Sequence, residues 1–304
     1  MDVLAAGISF FDLNFQGSPR VIATAVLHGP QGVALVDPGP ASSLPALRRA
    51  LQGAGMSMGD VTSLVLTHIH LDHAGATGTL VAENPRLRVY VHQRGAPHLV
   101  DPSKLLASAS RLYGDAMDRL WGPVQPVPAS AITALAGGEQ VHAGGRLLLA
   151  GNTPGHASHH MSYLCRETGI AFVGDVAGIQ LMPNGFVLPP TPPPDIDLEV
   201  WAASLAHIEA WSPSTLFLTH FGPSSSLGPH LDALRKHLDL VARLAQTSLA
   251  REESDEAREA WFVQACRVEL RRRSSEADAH AYEVAAPFGL NWRGLARYWR
   301  KRSA

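Results

Sequence analysis

Cysteine is nearly missing from this 304-residue chain. The two present, Cys165 and Cys266, stand far apart and in no paired spacing, which excludes a disulfide framework and a thiolate zinc site and leaves two small buried hydrophobes in a reducing compartment. An excess of one charge is missing too: 25 Lys and Arg against 27 Asp and Glu give a formal net charge of −2, so no global basic field draws the chain onto nucleic acid or anionic lipid. No stretch approaches the roughly 18 consecutive apolar residues of a membrane helix. The opening MDVLAAGISFFDLNFQG has neither a basic leader nor a small-residue cleavage site, and a cytoplasmic protein without a membrane partner is the expectation. Charged residues make up only 17%, whereas 46% hydrophobic content at this length supports a large core.

The first two thirds alternate β-rich runs with helix-like segments. Strands are predicted over 20–28 and 32–37, joined by a GPQ hairpin signal, then over 61–68, 86–92, 145–151, 159–165, 170–175 and 214–220. A helix follows Ser43, a plausible N-cap, with Leu44, Leu47 and Leu51 on one face and Gly53 as its stop; further helices are predicted over 73–84 and 197–211. Two segments interrupt this order, a helical insertion over 101–122 and the extended LPPTPPPD loop over 188–195, where each proline fixes φ and removes a donor. Both are candidate pocket walls. From about Pro229 the β-signal stops and apolar residues recur at helical spacing, Leu231, Leu234, Leu238 and Val241 among them. The chain therefore divides into a catalytic domain over 1–225 and a C-terminal helical domain over 226–304, which should cover the pocket mouth or, in a homodimer, a subunit interface.

Histidine is concentrated where strands end. THIHLDHAG, residues 67–75, places His68, His70, Asp72 and His73 in six consecutive positions. Buried without a partner, such groups would be costly, and a metal is the obvious partner. On a strand residues two apart point the same way, so His68 and His70 face one ion while Asp72 and His73, displaced by the turn, face a second. A catalytic zinc takes about three protein ligands, so two ions need further donors. Later strand ends offer them: His156 in NTPGHASHH, Asp175 in FVGDVAG and His220 in LFLTHFGP. Asp175, with two oxygens, suits a bridge.

VDPGP at 36–40, the H-x-H-x-D-H motif HIHLDH, the TPGH histidine, the GD aspartate and the late TH, taken in that order, resemble the metallo-β-lactamase superfamily over roughly residues 18–222. The resemblance implies an α+β fold, a four-layer αββα sandwich carrying the helical appendage. It implies that His68, His70 and His156 hold one divalent metal and Asp72, His73 and His220 a second, with Asp175 bridging; zinc is the expected metal, with iron and manganese also suited to these ligands. Asp37 belongs either to a turn or to the shell that supports the site. His159 and His160 alternate on a predicted strand, one packed and one solvated, and have no place among the ligands.

The resemblance further implies a hydrolase in which a hydroxide between the metals attacks a carbonyl carbon or phosphorus and Asp72 both ligates and orients it. Periplasmic zinc β-lactamases carry a signal peptide, and those with a cysteine ligand lack the bridging aspartate present here. The chain is similar to glyoxalase II in its motifs and its helical end, but shows no match to the basic and aromatic residues that bind glutathione there. A small ester, thioester or lactone is the expected substrate, from walls that mix Leu105, Leu106, Leu112 and Trp121 with only Lys104 and Arg111. Two alternatives stay open: a persulfide-dioxygenase-like enzyme with one iron on His68, His156 and Asp175, and an RNA-processing phosphodiesterase. The latter would need a basic arm, and RRR at 271–273 and WRGLARYWRKR at 292–302 are more often solvated helix faces. Nucleic acid is therefore not an expected partner.

Overall fold

In β3 (Ala23–Gly29) and β4 (Gly32–Val36) almost every residue is apolar and buried, a pattern strands show when both faces are covered. Ala25, Leu27, Ala34 and Val36 point into one hydrophobic core, and Val26, Val33 and Leu35 into another. The two strands form the hairpin that GPQ predicts, closing at Gly29 and Gly32. Gly32 has φ of 103°, and a Cβ there would lie 2.5 Å from the Thr62 side chain, so no other residue fits the turn.

The computed structural model describes residues 1–183 and 185–303. Among them β1 (Asp2–Ala5), β2 (Ile8–Asp12), β3, β4, β5 (Val61–Val65), β6 (Arg88–His92) and β7 (Ile132–Leu135) form a seven-stranded sheet in sequence order, antiparallel up to β4 and parallel beyond it. The second, six-stranded sheet runs β13-β12-β11-β10-β9-β8, built from β8 (Gln140–Ala143), β9 (Arg146–Asn152), β10 (Met161–Cys165), β11 (Ile170–Phe172), β12 (Thr215–Leu218) and β13 (Gly222–Ser224). Phe10 of the first sheet meets Phe217 of the second edge to face at 5.6 Å. On the outer face of the first sheet lie α1 (Leu44–Gly53), α2 (Leu71–Ala74), α3 (Thr77–Glu83), α4 (Ala96–Val100), α5 (Ser103–Tyr113) and α6 (Met117–Trp121). Beside the second sheet, α7 (Leu198–Trp211) buries Trp201, Leu205 and Ile208. This is the α+β four-layer αββα sandwich.

The C-terminal helices are α8 (Leu227–Leu249), α9 (Asp255–Arg271), α10 (Glu276–Ala285) and α11 (Phe288–Ser303). The stripe Leu231, Leu234, Leu238 and Val241 on α8 joins the core of the second sheet. Polar anchors fix the dock: His230 Nε2 donates to the Ala177 carbonyl and His237 Nδ1 to that of Val187, each at 2.8 Å. Tyr282, fully buried, donates to the Phe186 carbonyl and accepts from the Leu181 amide. Tyr282→Phe leaves both backbone groups without that partner and is expected to lower stability by about 1–3 kcal/mol, read from chemical denaturation. No helix among the described residues is long and apolar enough to cross a membrane.

Several local expectations are corrected. The strand predicted over 61–68 stops at Val65, because beyond it Thr67 N–H bonds to the Asp37 carboxylate instead of a neighbouring strand. The helix predicted over 73–84 is two helices, α2 and α3, broken at Gly75 and Ala76. Ser43 sits at the end of a 3-10 turn and its hydroxyl caps nothing. His159 and His160 precede β10 in a turn and do not alternate on a strand. The short strands β1, β2, β7 and β8 and the helix α10 went unpredicted. For α10 the signal was present, a Ser275–Asp278 capping box.

Candidate metal centre

The centre is organised around one aspartate. Asp37, at the end of β4, is fully buried and takes a left-handed φ of 51°. Its carboxylate accepts from Thr67 N–H at 2.8 Å, Thr67 Oγ1 at 2.7 Å, His73 Nδ1 at 2.8 Å and Thr219 Oγ1 at 2.8 Å. One side chain thus ties together the end of β4, the loop after β5, α2 and the end of β12. Asp37 is the supporting residue of the cluster, beyond a simple turn.

His68, His70 and His156 converge from two loops. His70 Nδ1 lies 3.0 Å from His68 Nε2 and 2.9 Å from His156 Nε2. The outer nitrogens are occupied: His156 Nδ1 donates to the Pro190 carbonyl at 2.9 Å, and His68 Nδ1 to Thr67 Oγ1 at 3.1 Å, whose own proton goes to Asp37. These bonds place the ring protons outward and the lone pairs inward. Burial and the neighbouring imidazoles hold His68 well below the usual histidine range, and burial with His156 pushes His70 down to about 3. All are neutral donors at pH 7.

His73, His220 and Asp72 form the other half. His73 and His220 turn their Nδ1 atoms away, to Asp37 and to the Val21 carbonyl at 2.6 Å. His220 Nε2 lies 3.4 Å from Asp72 Oδ2, and His73 Nε2 3.7 Å from the same oxygen. Asp175 stands between the halves. Its Oδ2 is 3.4 Å from His156 Nε2, while its Oδ1 is 3.3 Å from His73 Nε2 and 3.6 Å from His220 Nε2. Burial opposes charge at every one of these groups. Even so, Asp175 and Asp72 outweigh it at His73 and His220 and raise both, and the histidines outweigh it at the carboxylates, holding Asp175 well below its usual range and Asp72 at about 2.

Whether a metal fits can be asked of the atoms alone. The ligand atoms of His68, His70 and His156 lie within 4.8 Å of one another, as do those of Asp72, His73 and His220, and those of His68, His73 and Asp175. His73 Nε2 and Asp175 Oδ1 are buried yet make no hydrogen bond, an expensive arrangement without a cation between them. Imidazole and carboxylate donors suit zinc, iron or manganese. The residues fit.

Two features of this neighbourhood went unread in the sequence. His160 is buried under the centre, where its Nε2 accepts from the Asp175 amide at 3.2 Å and so holds the bridging loop in place. Gly174 explains why GD is needed there: at φ of 45° a Cβ would lie 2.5 Å from Thr67 Oγ1. Above the centre opens a pocket of about 400 Å³. The insertion supplies Lys104, Leu105, Leu112, Tyr113 and Trp121; Leu106 and Arg111, expected beside them, are not among the lining residues. The proline loop supplies Pro190 and Pro192 to Asp195, and the C-terminal helices Ala285 to Pro287, Leu290 and Asn291. Half-buried His159 also lines it, 5.6 Å from the His70 ring. The insertion and the proline loop are thus pocket walls and the C-terminal helices reach the pocket, as the sequence suggested; which of their residues line it is decided by tertiary docking.

Comparison with known proteins agrees with this architecture. A crystal structure of metallo-beta-lactamase family protein TTHA1429 from Thermus thermophilus superposes with a TM-score of 0.70 at 22% identity, over 99% of this chain and 96% of that one. The archaeal superfamily protein ST1585 from Sulfolobus tokodaii superposes with a TM-score of 0.65 at 23% identity, over 95% and 98%. In sequence, ST1585 is 29% identical over 208 residues, 67% of this chain and 74% of that protein. Thioesterase pkgB of Emericella nidulans is 29% identical over 145 residues, 48% of this chain but only 30% of the fungal protein. The metallo-beta-lactamase superfamily profile matches residues 17–220, spanning Asp37 and all seven candidate ligands, and the chain belongs to that superfamily.

Proposed function

We propose that the chain is a dinuclear metal-dependent hydrolase of a small acyl compound, an ester, thioester or lactone. The observation that carries this reading is the pair of three-residue donor clusters joined by Asp175 at the floor of a largely apolar pocket. His68, His70 and His156 would hold one ion and Asp72, His73 and His220 the other, most suitably zinc, with Asp175 between them. Ions bound there lower the pKa of water toward neutrality and polarise a carbonyl. Asp72 and Asp175 both line the pocket, but Asp72 is the more exposed, its side chain 21% against 6% for Asp175, and it would orient the attacking water. Leu105, Leu112 and Leu290 exclude bulk water and bind an apolar acyl group. The thioesterase name of one relative, although that match covers less than a third of it, points to the same substrates.

Metal analysis of purified protein is expected to give about two ions per chain, the number a hydrolytic pair requires. Chelation should abolish activity and zinc restore it. A panel of thioesters, lactones, aryl esters and bis-p-nitrophenyl phosphate should show acyl turnover. Phosphodiester cleavage without acyl turnover would overturn the assignment, and a single iron per chain would favour an oxygenase.

A further inference from the structure

A second cleft, of about 510 Å³, opens beside the pocket and shares Arg94, Ser158, Pro194 and Asp195 with it. Its chemistry is different. Arg297, Lys301 and Arg302 of α11 line it, together with Arg94 from the turn after β6. Nearby arginines on α11 are neutralised, Arg293 by Glu259, Arg300 by Asp255 and Arg302 by Glu199. Arg94, Arg297 and Lys301 have no carboxylate partner among the described residues. The two acids that line the cleft are held by neutral donors, Asp197 accepting from Val200 N–H at 3.1 Å and Asp195 from Ser158 Oγ at 2.6 Å, and neither lies in an ion pair with Arg94, Arg297 or Lys301, so cations outnumber acids there. The dipole of α11 accounts for cations in its last turn, Lys301 and Arg302, but calls for neither Arg297, a turn earlier, nor Arg94, on another element.

We propose that this cleft binds the phosphate-bearing leaving half of a thioester substrate whose acyl half occupies the apolar pocket; the proposal rests on the hydrolase reading above. Several unpaired cations from two elements exceed what one carboxylate uses, whereas phosphate, with oxygens on every side, takes forked donors from more than one arginine. In the reaction the water oxygen bonds to the acyl carbon and the carbon–sulfur bond breaks. Its electron pair leaves on sulfur, which takes up the proton released by water, and no oxidant is needed. Coenzyme A, a thiol on a phosphorylated nucleotide, is the probe that matches this chemistry.

The test compares a short-chain acyl-coenzyme A with the same acyl group on uncharged N-acetylcysteamine. Arg297→Glu and Lys301→Glu are exposed substitutions outside the catalytic pocket. Each is expected to raise KM for the coenzyme A thioester about five- to tenfold, as loss of a charged hydrogen bond does, with kcat and the uncharged substrate unmoved. The effect should shrink between about 0.05 and 0.5 M salt. Independently of turnover, adenosine 3′,5′-bisphosphate should bind the metal-free protein by calorimetry and bind the double variant more weakly. Equal KM for both thioesters and no bisphosphate binding would overturn the cleft and leave the hydrolase standing. Bisphosphate binding without hydrolysis of any acyl substrate would do the reverse.

Discussion

Replacement of Asp175 by alanine is expected to strip both metals together and to reduce hydrolysis by about 10³-fold or more, since loss of even one preorganised electrostatic group costs roughly 10²–10³ in rate. The reason is geometric. One carboxylate oxygen faces His156 and the other faces His73 and His220, so among the described carboxylates Asp175 is the one set between the two donor sets. Removing it leaves His73 Nε2 and His156 Nε2 without the anion that balances a dication. Metal content of the purified variant, read beside its turnover, decides the point: retention of one full equivalent would show that Asp175 serves a single ion and that the bridge is wrong. His160 and Gly174 hold the backbone of this loop, so the variant should keep its fold.

Asp37→Ala should act through stability. It removes the acceptor of Thr67 N–H, Thr67 Oγ1, Thr219 Oγ1 and His73 Nδ1 at a fully buried position, and it places alanine at φ of 51°. Breaking a buried charged network typically costs about 3–5 kcal/mol, and left-handed alanine adds about 1–2 kcal/mol. A large fall in the denaturation midpoint is the expected outcome. The milder Asp37→Asn keeps one acceptor oxygen and should fold, yet bind metal about 10–100-fold more weakly, because the carboxylate that orients His73 is gone. Competition with a chelator measures this. A variant that folds and binds metal with native affinity would make Asp37 a turn residue only.

The candidate donors could be read from the chain because their spacing is local. HIHLDH packs four into one turn, and TPGH, GD and TH each put a donor just past an apolar run, so the seven residues could be named without coordinates. The sandwich was legible through the family resemblance that those same motifs carry; β3 and β4, apolar on both faces as a covered sheet requires, agree with it. The short strands β1, β7 and β8 were not legible, since four residues carry too little periodicity to distinguish a strand from a loop.

Tertiary structure alone decided how the donors are held and what surrounds them. The sequence pattern placed His68 at the end of a strand and His70 in the turn beyond it; in the fold the strand has already ended at Val65, and the Asp37 carboxylate, 30 residues upstream of Thr67, takes over the backbone bond that a neighbouring strand would have made. The same contact reaches Thr219, 182 residues from Asp37, which no local pattern encodes. The pocket likewise joins the insertion, the proline loop and the α10–α11 corner; the sequence marked the first two as walls and the C-terminal helices as a cover, but only docking decides which of their residues meet over the centre. Composition and spacing determine which side chains can bind a metal and which faces must be covered. Only the docking of distant elements, driven by burial of those faces, determines which donors meet and what substrate they meet over.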